Sequence, residues 1–131
     1  MRLFINTLTR FARQDTPWIS RRDIRLARRI LRDDQFRASP FSNTMDMWPQ
    51  VVRGEELYVF PYIETADFVI DTTVAYEPCM LKEPLLKCLA AVPADDPHIV
   101  TARHLQEHFS VFPSMDVNLL PSESILHEFL G

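Results

Sequence analysis

Asp23-Ile24-Arg25-Leu26-Ala27-Arg28-Arg29-Ile30-Leu31-Arg32-Asp33, followed by Arg37, is the stretch on which the reading of this chain turns. Ile24, Ala27, Ile30 and Leu31 recur at helical spacing and predict an amphipathic helix with these four residues facing a core. Ser20 precedes Asp23 by three positions, an acidic variant of the capping box, and marks the helix start. The helix is expected to reach about Phe36, before Ser39-Pro40 breaks it. Arg21, Arg25, Arg28 and Arg32 form one stripe beside the apolar face, with Arg22 and Arg29 alongside. One side of this helix is buried and the remainder is unusually cationic.

The stripe belongs to a wider asymmetry. Up to Arg37 there are ten arginines and no lysine, against Asp15, Asp23, Asp33 and Asp34. The remainder holds Arg53, Lys82, Lys87 and Arg103 against the other fourteen of the eighteen acids. The net charge of −4 thus conceals a basic first third and an acidic remainder. Such asymmetry points to an anionic partner for the basic part, or to mutual neutralisation of the two parts. Arginine without lysine favours the anionic partner, because the planar guanidinium suits bidentate phosphate contacts. Nucleic acid is the rival ligand. The acidity of the whole chain and the few aromatics near the stripe argue against it.

Glycine content narrows the chemistry. Gly54 and Gly131 are the only glycines and no GxxxxGK[ST] occurs, so no segment can wrap backbone N–H groups around a triphosphate. At 131 residues, with 47% hydrophobic and 24% charged residues, the chain suits a single globular unit. No apolar run approaches the roughly 20 residues that span a bilayer. Polar residues soon follow Met1-Arg2-Leu3-Phe4-Ile5-Asn6, which argues against a secretory signal. Cys79 and Cys88 are too few for a disulfide scaffold; reduced thiols in a cytoplasmic protein, away from membranes, are expected.

Around the arginine helix, Leu3–Thr9 is expected to be a buried strand, with a helix as the alternative, joined to the arginine helix by a polar connection through Gln14-Asp15-Thr16-Pro17. A short helix is expected from Ser42 to Trp48, stopped by Pro49, then a turn-containing connector over Val51–Glu56 and an extended Leu57–Tyr62. Ala66–Asp71 is the best strand; its Phe68-Val69-Ile70 centre is apolar without alternation, as for a strand covered on both faces. A mostly helical region to about Ala91, a turn over Pro93–Pro97, a helix from about Ile99 to Phe109 and a final helix capped by Ser122 or Ser124 complete the chain. The unit divides into 1–19 (inner strand and connection), 20–56 (lid helices), 57–92 (strand and following helix) and 93–131 (helical extension).

The D-x-R-L-x-R-R-x-x-R-D pattern resembles the lid helix of the uridine kinase and phosphoribulokinase group of P-loop kinases. Trp48-Pro49-Gln50-Val51-Val52-Arg53-Gly54-Glu55-Glu56, then Val59-Phe60-Pro61-Tyr62 and Ala66-Asp67, resemble the W-P-x-V-x-x-G-E-E, I-F-P and A-D order of its bacterial nucleoside kinases. Leu120-Pro121-Ser122-Glu123-Ser124-Ile125-Leu126-His127-Glu128-Phe129-Leu130-Gly131 is similar to their V-P-x-x-S-I-L-x-E-F-I-G ending. The resemblance covers nearly the whole chain. It implies a partial P-loop kinase fold of the α/β class, helix-rich, with two or three short strands and an arginine-rich lid. It implies transfer of the γ-phosphate of ATP, with Mg²⁺, to a nucleoside 5′-hydroxyl in a complete enzyme. The P-loop, general base and most of the nucleoside pocket would lie upstream of Met1, so this chain alone is expected to be inactive. A partner chain completing the sheet, or a homo-oligomer, is an expected associate. By the motif, Arg32 and Arg37 would contact phosphate, Arg29 would lie nearest the reacting end, and Arg25 is a further phosphate-contacting candidate. Ala38 stands where the group often has glycine, and Ser39 where some members carry another arginine.

Other constellations have plainer readings. His104 and His108 are four apart on a helix, but the H-E-x-x-H order and a third ligand are missing, so surface histidines are expected and no metal site. Cys79 and Cys88 lack C-x-x-C spacing, and no Ser/His/Asp triad can be assembled. Asp67 and Asp71 are read as strand-end solubility and capping residues, and Trp48 and Phe60 as packing residues that seat the lid.

Overall fold

A computed structural model describes residues 1–11 and 19–131. The connection expected over Gln14–Pro17 lies outside the described residues. The chain is a helix-rich α/β structure. Its elements run β1 (Leu3–Asn6), α1 (Arg21–Arg37), α2 (Phe41–Tyr58), a 3-10 segment (Phe60–Thr65), β2 (Phe68–Asp71), α3 (Glu77–Ala90), α4 (Ile99–Ser110), a 3-10 turn (Val117–Leu119) and α5 (His127–Leu130).

Helix α1 is the central element and forms as its sequence demands. The Ser20 hydroxyl accepts from the Asp23 N–H while the Asp23 carboxylate accepts from the Ser20 N–H, closing the capping box. Ile24, Ala27, Ile30 and Leu31 are all buried, together with Leu26. They meet Phe41 and Met45 of α2, Leu81, Leu85 and Leu89 of α3, and Ala102, Leu105 and Phe109 of α4 in one core. A smaller core of Met80, Leu120, Leu126 and Phe129 seats the short α5. The last turn of α1 ends at Ala38, whose φ of 46° and ψ of 34° are left-handed. The N–H groups of Ala38 and Ser39 both donate to the Asp33 carbonyl.

Three local expectations are corrected. Helix α2 continues through Pro49 to Tyr58, where a stop, a connector and an extended run were expected. Proline costs an interior helix about 3 kcal/mol, and tertiary ties offset it here. Phe41, Met45 and Thr44 bury the first half of α2. Glu55 and Glu56 fasten its second half to Arg25 and Arg22 of α1. Strand β1 ends at Asn6 rather than Thr9. Strand β2 is not covered: Phe68 is 59% exposed, Val69 49% and Ile70 43%. β1 and β2 pair in parallel, with Leu3 opposite Phe68 and Asn6 opposite Asp71. This two-stranded sheet presents open apolar surface at one side of the helical body.

The carboxyl ends of the two strands are tied by one carboxylate. Asp71 accepts from the Leu8 N–H at 3.0 Å, the Thr9 hydroxyl at 2.5 Å, and the N–H and hydroxyl of Thr73 at 2.9 and 2.6 Å. Burial pushes this carboxyl up, but the hydroxyl and amide hydrogen bonds outweigh it and hold the group well below the usual carboxylate range. Capping, expected for Asp71, is what it does.

Candidate functional site

A cavity of about 250 Å³ opens where α1 crosses the carboxyl ends of the parallel strands. Arg25, Arg28, Arg29 and Arg32 form its α1 wall; their spacing on a 3.6-residue helix turns them toward one side. Asn6 and Thr7 at the end of β1, and Thr72 just past β2, close a second side. Trp48 and Val51 of α2 and Phe129 of α5 supply apolar walls. Crevices at the carboxyl ends of parallel strands are where open α/β sheets bind their ligands.

Each guanidinium is held by groups distant in sequence. Arg28 is buried and bidentate to the fully buried Glu77, through Nε to Oε1 and through Nη2 to Oε2 at 2.7 Å. It also donates to the Thr72 carbonyl at 3.2 Å and lies over the Phe129 ring at 5.1 Å. Arg25 donates to Asn6 Oδ1 at 2.8 Å and pairs with Glu55 at 2.5 Å. Burial raises the Glu55 carboxyl and lowers the Arg25 guanidinium; their mutual attraction offsets only part of this. Arg29 lies 3.3 Å from Asp33, and Arg32 lies 3.2 Å from Glu128. The buried Nε–H groups of Arg29 and Arg32 have no hydrogen-bond acceptor among the described residues. Arg29 Nε is the atom that faces Asp33 Oδ2 at 3.3 Å, and both Nε atoms are covered from solvent.

The structure thus brings Arg25, Arg29 and Arg32 to one cavity and adds Arg28. Arg37 is elsewhere. It is half exposed, donates to Asp33 at 3.0 Å, and lines a separate hollow of about 180 Å³. Arg29 belongs to both hollows, and buried Asp33 stands between Arg29 and Arg37, also accepting from the Thr44 hydroxyl at 3.0 Å. Neutralisation within the chain, the less favoured reading of the charge asymmetry, is present in the structure. Arg22 and Arg25 meet the acids of α2, Arg28 meets α3 and Arg32 meets α5. Sequence reasoning missed Asn6, Thr72 and Glu128 as parts of the site. The strand-end position of Asn6 and Thr72 was a usable signal; for Glu128 there was none.

The remaining candidates lie apart from the cavity. The rings of His104 and His108 are 4.0 Å apart, and His104 Nε2 lies 3.2 Å from Asp23. No group of three metal-ligating side chains occurs among the described residues. Cys79 and Cys88 are free thiols, and burial pushes Cys88 up to about 11, far from a nucleophile's range. Phe60 seats β1 through Phe4, 6.2 Å between ring centroids, and carries Arg21 over its face at 4.4 Å. Among the described residues no helix is long and apolar enough to cross a membrane.

No family model, no curated protein and no solved structure matches this chain.

Proposed function

We propose that this chain is the phosphate-binding lid and carboxyl-terminal portion of an ATP-dependent nucleoside kinase of the uridine kinase type. The observation that carries the reading is the set of four α1 arginines around one cavity at the carboxyl ends of a parallel strand pair. Phosphoryl transfer spreads negative charge over the moving group, and catalysis is mainly positioning and electrostatic stabilisation. Arg25, Arg29 and Arg32 would hold the phosphates of ATP. Arg28 is committed to Glu77 and acts as the rigid floor of the site. Trp48 offers a flat apolar wall beside the phosphates.

Among the described residues, the cavity wall makes no place for Mg²⁺. Glu128 is the one carboxylate on the cavity wall, and Arg32 occupies it. Together with the absence of a glycine loop, this means that the chain by itself is expected to bind phosphates without transferring them. A module that binds an anion without catalysis is the second reading, and the same missing loop favours it. Nucleic acid is a poor fit for either, since the arginines carry internal carboxylates rather than forming an open basic surface.

Titration of ATP, polyphosphate and RNA into the wild-type chain and an Arg29/Arg32/Arg37→Ala variant separates the readings. The kinase reading expects saturable ATP binding that the triple variant loses, and no phosphorylation of uridine by the chain alone. Salt-sensitive RNA binding without nucleotide preference would replace it with the module reading.

A further inference from the structure

The four cavity arginines are not equally held. Arg28 is bidentate to a fully buried carboxylate, Arg25 is shared between Glu55 and Asn6, and Arg29 faces the buried Asp33. Among the described residues Arg32 meets only Glu128, through one 3.2 Å contact, and the Glu128 side chain is 54% exposed. A single-contact ion pair with an exposed partner is the weakest of the four and the readiest to exchange. Arg32 also keeps an unused buried Nε–H.

Glu128 itself cannot drift away from the cavity. It is carried on α5, whose Phe129 is buried against the smaller core and under the Arg28 guanidinium. Gln35 of α1 donates to the neighbouring Leu130 carbonyl at 2.9 Å. The backbone is fixed while the carboxylate is free to swing on its side-chain torsions.

We propose that Glu128 is a specificity-determining residue of the arginine cavity: its carboxylate is a tethered anion on Arg32 that an incoming phosphate-bearing ligand displaces. This rests on the phosphate-binding reading above. The displaced carboxylate stays at the cavity mouth and repels whatever anion has entered. A ligand with several negative charges compensates for that repulsion by engaging Arg25 and Arg29 as well as Arg32. A small monoanion meets Arg32 alone and does not displace the carboxylate. The site therefore selects polyanionic phosphates over simple carboxylates.

Calorimetric titration of tripolyphosphate and of acetate into the full chain tests this, using wild type, Glu128→Gln, Arg32→Gln and the double variant. Glu128→Gln is expected to bind tripolyphosphate about two- to fivefold more tightly than wild type, the range that loss of one exposed ion pair allows. Arg32→Gln binds more weakly, and in its background Glu128→Gln gives a smaller gain, that of relieving the repulsion at the cavity mouth alone. Acetate binds detectably only once Glu128 is neutralised. Glu64→Gln, an equal charge change at an exposed position off the cavity, leaves the affinity unchanged. Glu128→Ser serves as a second variant, with circular dichroism confirming the fold of each. Wild-type binding that depends on Arg32 but is unaltered or weakened in both Glu128 variants would overturn the role of Glu128 and leave the phosphate site standing. Absence of tripolyphosphate binding in every variant would overturn both.

Discussion

Arg28 and Glu77 show how a side chain that reads as a ligand contact can be a structural one. Both are buried, and the guanidinium is also covered by Phe129. Removing one partner of such a pair leaves the other charge desolvated and alone, which costs about 3–5 kcal/mol. Arg28→Ala is therefore expected to lower stability by that amount in urea unfolding, and Arg28→Met with Glu77→Leu by much less. A small loss in the single variant would show that the pair is not closed. Asp71 carries a pH-dependent tie. Its folded-state pKa is depressed, so its stabilisation is fully present above the unfolded-state value of about 3.9. The contribution falls away as pH drops through the folded value, in the strongly acidic range. Wild type should exceed Asp71→Asn in stability at pH 7, with the gap narrowing only below about pH 4. A gap that closes nearer neutrality would contradict the hydrogen-bonded carboxylate. Neither partner set was legible in the sequence, because Arg28 and Glu77, or Thr9 and Asp71, are joined by tertiary structure and not by spacing.

Among the elements, α1 was legible almost to the residue, since its capping box and 3.6-residue apolar period are local properties. Helix α4 was legible for the same reason of periodicity. Helix α2 was not. Pro49 is a strong local stop signal, and what overrides it is packing onto α1 and the Arg22–Glu56 and Arg25–Glu55 pairs, which no local window contains. The junction between α1 and α2 gives a direct test. Ala38 holds a left-handed conformation that costs an L-residue about 1–2 kcal/mol and a glycine nothing. Glycine loses more freedom on folding, so Ala38→Gly should stabilise the chain by about 0.5–1 kcal/mol, read as a higher midpoint in chemical unfolding. Destabilisation would mean that Ala38 is not left-handed in solution.

For the whole molecule, the basic third and the acidic remainder are not two independent surfaces. They meet along α1, and the carboxylates of α2, α3 and α5 fix the arginines in place around one cavity. The helix-rich α/β class was readable from the sequence, and so was the placing of Arg25, Arg29 and Arg32 on α1 beside its apolar face. Arg37 was grouped with them through its place in the motif, but it follows a full further turn of α1 and lies in a different hollow. The open faces of β2 were unreadable because a run of apolar residues reports that a strand can be covered, not what covers it. The central claim is that the cavity arginines receive phosphate. It is tested most directly by following the arginine Nε–Hε resonances of the intact chain during titration with ATP. Saturable shifts are expected at Arg25, Arg29 and Arg32, with Arg22, paired to Glu56 off the cavity, unmoved. Silence at the three cavity arginines, or equal shifts at every arginine, would contradict it.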